Sequence, residues 1–526
     1  MSTFSIQISN QAKVATVTTD NIYIIAKGQK PEETDGQEYF LNFEDSSGIG
    51  SFSDRPTVSI DYMQYAKPLS SFKKIDDETY EITVPLIRSC RIFMSINAKL
   101  YFILTTDPNT GMVTINEPSM TDPSYPNASI LYDKFEMTHL SGEAAFINTT
   151  AVDCFGLPLQ LSEPEVGKGP LGFIKKRSKV ISTLSKSLTG DWTKLYMPNE
   201  NGSPVIRVLS PAQANTGDYT FPTDYLDSYI DFVWWFYSQP NNNLKIDCSE
   251  VKTYINGGGN IFTGTSDGTK FTFTNGVVAN DVIVVKPSTM DIWACDGNLD
   301  TPNNTIRSVV NKNLAACLNR GLLPSDNVDA ITKEWYNTTE VLNSYYQNNA
   351  KFASESANTF NHGTYNADKK YYNLYSAALH DDTITAGGLY AFAYDDVGGK
   401  DSTLSDAAAT YAKVTLNDLS GTTIPNPAPV KDTYKSLFGI PTSDSNDNPQ
   451  KYNAAYYDNT GAKKTISAGT IYTLPNTFKL NYGKPEEEKD YNININARSY
   501  DGLAIGLSMN PDFNKDADVY MGLPPV

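Results

Sequence analysis

From Phe4 to about Leu161, apolar and polar residues alternate with a period of two, and turn residues break the alternation at short intervals. Residues 3–8, 21–27, 79–86, 91–96 and 100–105 each follow it, and Asp107-Pro-Asn-Thr-Gly111 is one of the breakers. A period of two sends successive side chains to opposite faces of a strand. Short strands so closely spaced predict an antiparallel sandwich or barrel. After Pro164 the period changes. Over 173–188 apolar residues recur at 173, 174, 180, 181, 184 and 188, a helical spacing. Residues 224–238 and 303–323 also predict helices; in the second, Ile306, Val309, Val310, Leu314, Cys317 and Leu318 share a face. Between them, 261–285 alternates like a hairpin, so 165–385 reads as a mixed α/β region. A helix over 369–380 leads through Gly387-Gly388 to a strand at 389–394. Beyond the Pro-Asn-Pro-Ala-Pro run at 425–429, a linker signal, β-like stretches stand at 470–474 and 491–497.

Length adds a domain count: 526 residues suggest roughly two to four domains. Charge narrows the partners. With 42 Lys plus Arg against 60 Asp plus Glu, the net charge of −18 argues against nucleic acid and against an anionic membrane surface. A neutral polysaccharide fits that balance. The 33 Tyr against 5 Trp, among many Asn, Thr and Ser, suit sugar binding: ring faces stack on C–H groups while amides and hydroxyls meet sugar hydroxyls. A Tyr-rich β protein without that role has the same composition.

Five widely spaced cysteines (Cys90, Cys154, Cys248, Cys295, Cys317) form no CxxC pair and no Cys/His ligand spacing. Reduced, buried thiols are the default expectation, with one or two disulfides left open. No cofactor or metal site is expected; the histidines at 139, 362 and 380 are scattered. The N-terminus shows no basic segment followed by an apolar run, so no secretory signal is visible. No run of ~18 apolar residues is present to span a membrane.

The candidate chemistry lies in residues 132–159, YDKFEMTHLSGEAAFINTTAVDCFGLPL. Two strands flank a turn at Ser141-Gly142-Glu143. On the first, Lys134, Glu136 and Thr138 point one way while Phe135 and Met137 point to the core. A turn centred at Gly142 sets Glu136 opposite Asn148, and Asp153 ends the second strand before a bend at Gly156 and Pro158. Paired carboxylates facing one bond are what glycoside hydrolysis requires: one delivers a proton to the leaving oxygen, the other activates water or attacks carbon. A pair of solvated surface acids has the same spacing.

This segment resembles a motif shared by plant thaumatin-like proteins and the β-1,3-glucanases of glycoside hydrolase family 64. In them a Glu-Phe-Thr element is followed about sixteen residues later by a Val-Asp element and a Pro-containing bend. The matching residues are Glu136-Met137-Thr138 and Val152-Asp153-Cys154-Phe155-Gly156-Leu157-Pro158. The resemblance implies Glu136 as general acid and Asp153 as general base of an inverting hydrolysis, with Thr138 and Phe146 against substrate. Ser89-Cys90-Arg91-Ile92-Phe93 and Lys99–Phe102 resemble the family's Arg-containing strand pair, and Leu389–Gly399 its Tyr-Asp-Asp-Val strand end. Arg91 then either holds a carboxylate ionised or makes a plain surface salt bridge. Asp395 and Asp396 either complete an acidic cleft or cap a turn; His139 either reaches substrate or sits on a strand face. Trp234 and Trp235 serve as core or as sugar platform. The sequence departs from the family at Leu140, where Asn is usual, and at Phe146, where Trp is usual.

The resulting expectation is a β-rich α+β protein. A thaumatin-like β-barrel or sandwich domain at 1–164 carries the acidic pair. An inserted mixed α/β domain occupies 165–385, strands at 386–425 return to the β domain, and a C-terminal extension covers 430–526. The expected activity is endo-β-1,3-glucan hydrolysis of laminarin or curdlan type, with a β-1,3-glucan polysaccharide as partner. Family likeness places it outside the cell; cytoplasmic residence or non-classical export is the alternative. The rivals are a non-catalytic glucan-binding, structural or toxin-associated protein on the same scaffold, and an intracellular assembly protein.

Overall fold

The computed structural model describes residues 3–425 except 45–46, 58–61, 108–109, 119, 122–125, 199–203, 216–219, 250, 252–257, 302–304, 325–345, 356–364 and 400. Beyond 425 it describes the backbone of short strands within 436–522. The expected linker at 425–429 lies almost wholly outside the described residues.

The chain opens with β1 (Thr3–Asn10), β2 (Ile22–Gln29), β3 (Glu38–Phe43) and β4 (Gly50–Phe52). Short pieces β5 (Lys67–Pro68) and β6 (Lys73–Lys74) precede β7 (Thr79–Pro85) and β8 (Ile87–Ile96). Then come β9 (Ile103–Thr106), β10 (Val113–Asn116), β11 (Tyr132–His139) and β12 (Phe146–Thr149). Next are β13 (Cys154–Phe155), β14 (Leu159–Glu163), β15 (Lys168–Phe173), β16 (Tyr196–Met197) and β17 (Arg207–Leu209). In the helical region β18 (Leu244–Asp247), β19 (Ile261–Ser266), β20 (Lys270–Thr274) and β21 (Val282–Val285) form an antiparallel sheet. Then come β22 (Thr385–Ala386) and β23 (Tyr411–Leu416), ahead of the short strands within 436–522.

Two large sheets face each other. One runs β22-β15-β14-β23-β1-β7-β6 and the other β12-β11-β8-β2-β3-β4. Alternation places the core between them: Phe4, Ile6 and Ile8 of β1, Val84 of β7 and Val414 of β23 meet Ile24, Ile92, Met94, Phe135 and Met137 of the second sheet. Each such side chain, fully buried, contributes about 1.5–3 kcal/mol. β23 lies parallel to β1, Ser5 to Asn10 against Tyr411 to Leu416, and antiparallel to β14. The chain therefore closes the first sheet from both ends of its length.

The outer face of the second sheet is only partly covered. Ile25, Phe93 and Tyr132 join a second core with Phe102, Ile115 and the helices Arg177–Ser187, Asp227–Phe236, Ile306–Asn319 and Leu374–Leu379. All four are shorter than the apolar spacing predicts, and in the last two a cap residue sits inside the periodic run. Thr305 and Ser308 form a capping box, and Asn373 accepts the Ser376 N–H at 3.1 Å. Trp234 is fully buried.

Two strand expectations are corrected. The 100–105 strand starts only at Ile103, because side chains take the earlier backbone donors: Tyr101 N–H bonds Asn127 Oδ1 and Phe102 N–H bonds Tyr62 Oη. The strand at 389–394 is a single parallel bridge between Tyr390 and Thr150, followed by turns. The Ala391 N–H goes to the Asp395 carboxylate at 2.9 Å instead of to a neighbouring strand. All five cysteines are free and buried. No helix among the described residues is long and apolar enough to cross a membrane.

Candidate active site

The register of the second sheet sets one row of side chains across five strands. Asn148 stands opposite Glu136, Glu136 opposite Arg91, Arg91 opposite Lys27, and Lys27 opposite Phe40. Lys134, two residues before Glu136, shares its face. Opposite Thr138 on the edge strand is Phe146, 48% exposed.

Asp153 follows β12 and reaches this row through Lys134. The Lys134 ammonium, whose side chain is 9% exposed, donates to Asp153 Oδ2 at 2.5 Å and to Glu117 Oε2 at 2.7 Å. Gln213 Nε2 donates to the other Asp153 oxygen at 3.0 Å. Arg91 donates from Nε to Glu136 Oε1 at 3.2 Å and from Nη1 to Glu117. Among the described residues Glu136 Oε2 carries no hydrogen bond. Burial opposes charge on Asp153, but the Lys134 ammonium and the Gln213 amide outweigh it and hold the carboxyl below its ordinary value. A cavity of about 10 Å³, enough for one water, lies beside Asp153, Glu117, Lys134 and Phe93.

The bend that presents Asp153 is built from Asp133. This buried carboxylate accepts the N–H groups of Lys134 at 2.9 Å, Gly156 at 2.9 Å and Leu157 at 3.0 Å. Burial pushes its carboxyl up to about 7 against those donors. Gly156 is required by close approach: a Cβ there would stand 2.1 Å from the Tyr132 carbonyl oxygen. Ser210 N–H holds the Asp153 carbonyl at 2.8 Å, and Tyr375 Oη holds that of Ala151 at 2.8 Å.

The eight residues that sequence reasoning singled out divide into two groups. Glu136, Asp153 and Arg91 belong to one ion network. Thr138 and Phe146 share the Glu136 face, where the Thr138 hydroxyl accepts the Ser89 N–H at 3.2 Å. Asp396 is exposed, in the turns that follow the Tyr390 bridge. His139 and Asp395 do not belong there. His139 points to the core side, 2% exposed, its ring 5.8 Å from that of Phe4, on the opposite face of the strand from Glu136. Asp395 is fully buried; it accepts Arg320 Nη2 at 2.8 Å and pairs with His380 Nε2 at 2.7 Å, tying helices to the 389–399 turns. Burial opposes its charge and these two partners hold it ionised.

Sequence reasoning missed Glu117 and Gln213 as members of the network, and Lys27 as the cation opposite Arg91 in the row. Lys134 was placed on the right face without a role. Glu117 and Gln213 come from segments whose spacing to the 132–159 motif carries no signal. Among the described residues no group of three or more His, Cys, Asp or Glu side chains is arranged to hold a metal ion.

Known proteins share this architecture. A crystal structure of a β-1,3-glucanase domain from Clostridium beijerinckii superposes with a TM-score of 0.58 at 20% identity, over 79% of this chain and 98% of that one. A laminaripentaose-producing β-1,3-glucanase in complex with laminaritetraose gives 0.56 at 24% identity, over 80% and 100%. Both likenesses concern the fold. Two curated relatives named glucan endo-1,3-beta-glucosidase, from Arthrobacter sp. (strain YCWD3) and Cellulosimicrobium cellulans, are each 25% identical over 64% of this chain and 54% of their own. The chain thus spans about half the length of the curated relatives it matches. Residues 2–416 match the glycoside hydrolase family 64 model, described as beta-1,3-glucanase, and the chain belongs to that family.

Proposed function

We propose that this protein hydrolyses β-1,3-glucan with inversion, Glu136 acting as general acid and Asp153 as general base. The observation that carries this reading is the unequal environment of the two carboxylates on one sheet face. Asp153 is pinned by an ammonium and an amide and kept ionised, as a base must be. Glu136 meets Arg91 through Oε1 at 3.2 Å, while its Oε2 carries no hydrogen bond among the described residues and is open to a glycosidic oxygen. The substrate class is supported by family membership and by the laminaritetraose complex of the relative with the same fold. The exposed Phe146 ring and the Thr138 hydroxyl supply a stacking face and a polar contact beside Glu136. We read the facing sheets as a thaumatin-like platform with the helical region inserted, acting on polymer outside the cell.

In the reaction, the Glu136 proton passes to the leaving oxygen as the glycosidic bond breaks. Asp153 takes a proton from a water that attacks the anomeric carbon from the opposite face. Inversion requires roughly 6.5–9.5 Å between the carboxyl groups, leaving room for that water. Proton NMR of laminarin during hydrolysis tests the assignment: the new reducing end forms first as the α-anomer. Glu136→Gln and Asp153→Asn each lose roughly 10²–10⁴-fold in kcat. A β-anomer formed first rejects inversion, and full activity in either variant rejects the role of that residue.

A further inference from the structure

Glu117 touches both cations of the acidic pair, and its backbone is fixed for that purpose. It follows the hairpin of β9 and β10, which pairs with no other strand among the described residues. That hairpin is nevertheless tied to the sheet on both sides of Glu117. Gln37 Nε2 donates to Val113 O at 2.7 Å and Gln37 Oε1 accepts the Val113 N–H at 3.2 Å. Lys27 Nζ donates to Ile115 O at 2.8 Å, and Tyr132 Oη donates to Pro118 O at 3.1 Å. With residues 113, 115 and 118 anchored, the Glu117 side chain, 23% exposed, reaches Arg91 with one oxygen and Lys134 with the other. Glu136, Arg91, Glu117, Lys134 and Asp153 form an unbroken chain in which charge alternates at every contact.

We infer that Glu117 is a positioning residue for the reaction, sharing Arg91 and Lys134 with the two carboxylates so that neither Glu136 nor Asp153 meets the undivided charge of its cation. The inference rests on the roles proposed above for Glu136 and Asp153. A cation within about 4–6 Å favours the charged form of a carboxyl group. Without Glu117, Arg91 and Lys134 act on Glu136 and Asp153 with their charge undivided, and both acids give up protons more readily. Glu117 also faces Lys27 on β2 and the Tyr132 phenol on β11. Lys27 is committed to Glu38 at 2.8 Å and Tyr132 to Pro118, so neither replaces it between the acids.

The test is the pH dependence of kcat and kcat/KM on laminarin for the full chain, its Glu117→Gln variant and its Glu117→Asp variant. In Glu117→Gln the alkaline limb, set by the Glu136 proton, moves to lower pH by roughly half a unit or more. Glu117→Asp keeps the charge on a shorter stem, so it restores the limb while kcat stays reduced. A uniform loss of kcat in Glu117→Gln with both limbs in place overturns the inference, because lost packing alone gives that pattern. A carboxyl carbon NMR titration of the wild-type protein decides the case if Glu117→Gln does not fold. Glu117 must then stay ionised throughout the range in which Glu136 titrates, and a Glu117 that protonates at higher pH than Glu136 overturns the inference. A wild-type protein that leaves laminarin intact rejects the proposed activity, while the titration order still tests the arrangement of charge.

Discussion

Replacing Lys134 by Met removes the cation that faces Asp153 and keeps most of the side-chain volume. The Lys134 side chain is 9% exposed, and its two carboxylate partners, Asp153 and Glu117, are 22% and 23% exposed. Taking one partner from a buried ion pair costs about 3–5 kcal/mol. The partial solvation of both carboxylates places Lys134→Met at the lower end, about 3 kcal/mol, read as a shift in the urea midpoint at pH 7 with unchanged m. The pH dependence carries the sharper prediction. In the wild type Asp153 titrates below its ordinary value, so its pairing stabilises the fold above the usual carboxylate range, and that contribution is lost as pH falls through the folded-state value. In Lys134→Met burial is left as the dominant influence and the folded-state value rises. The variant then loses stability, relative to wild type, as pH rises from about 4 to 7. Activity follows the same sign: the acidic limb moves to higher pH, and kcat/KM falls roughly tenfold further at pH 5 than at pH 8. A stability difference that is flat across this range, with an unmoved acidic limb, would refute the assignment of Lys134 as the group that keeps Asp153 ionised.

Two further outcomes follow from the same geometry. Arg207 is fully buried and its guanidinium donates to the carbonyls of Met120 at 3.1 Å, Asn127 at 2.9 Å and Ile130 at 2.6 Å, so Arg207→Met strands several acceptors at once. Its expected cost is about 3 kcal/mol in urea unfolding, and a cost below about 1 kcal/mol refutes the claim that this side chain holds the carbonyls of Met120, Asn127 and Ile130. Phe146→Ala removes a half-exposed ring on the edge strand; laminarin kcat/KM falls roughly tenfold while stability moves by less than about 0.5 kcal/mol, and an unchanged KM argues against stacking there.

What was legible in the sequence was legible through periodicity. The alternation over 132–139 was enough to separate Glu136 and Lys134 from Phe135 and Met137, and a turn at Gly142 was enough to set Glu136 opposite Asn148. The same alternation already placed His139 with Met137, on the core side. Only proximity to the motif suggested a substrate contact, and the structure follows the parity. Asp395 failed for a different reason. An Asp-Asp pair at the end of an apolar run looks like a cleft edge, but Arg320, 75 residues away, and His380, 15 residues away, draw one of the two carboxylates inside. Glu117 and Gln213 were invisible because a hydrogen bond between segments 60 residues apart, as between Gln213 and Asp153, leaves no local pattern.

The pattern also held one clue that bears directly on the site. Core-facing residues of β8 fall at Cys90, Ile92, Met94 and Ile96, a strict period of two, and then at Ile87, three residues earlier. The extra residue is a bulge. The pairing with β11 slips between Met137 and His139, the pairing with β2 slips between Lys27 and Gln29, and Ser89 takes a φ of 50°. Without the slip, a one-residue shift would turn every side chain beyond it to the other face. By confining the irregularity to Ser89, β8 keeps Arg91 in line with Glu136 on one side and Lys27 on the other. It also frees the Ser89 N–H for the Thr138 hydroxyl. The strand thus serves both faces: a continuous apolar row packs the two sheets together, and on the opposite face Arg91 meets Glu136 directly and, through Glu117 and Lys134, is linked to Asp153. Charge on that outer face is tolerated because each buried cation meets a carboxylate, Lys27 on Glu38 and Lys134 on Glu117 and Asp153. The period that builds the core thus also sets Glu136, Arg91 and Lys134 on one face, and Glu117 and Asp153 reach them from outside the sheet's strands.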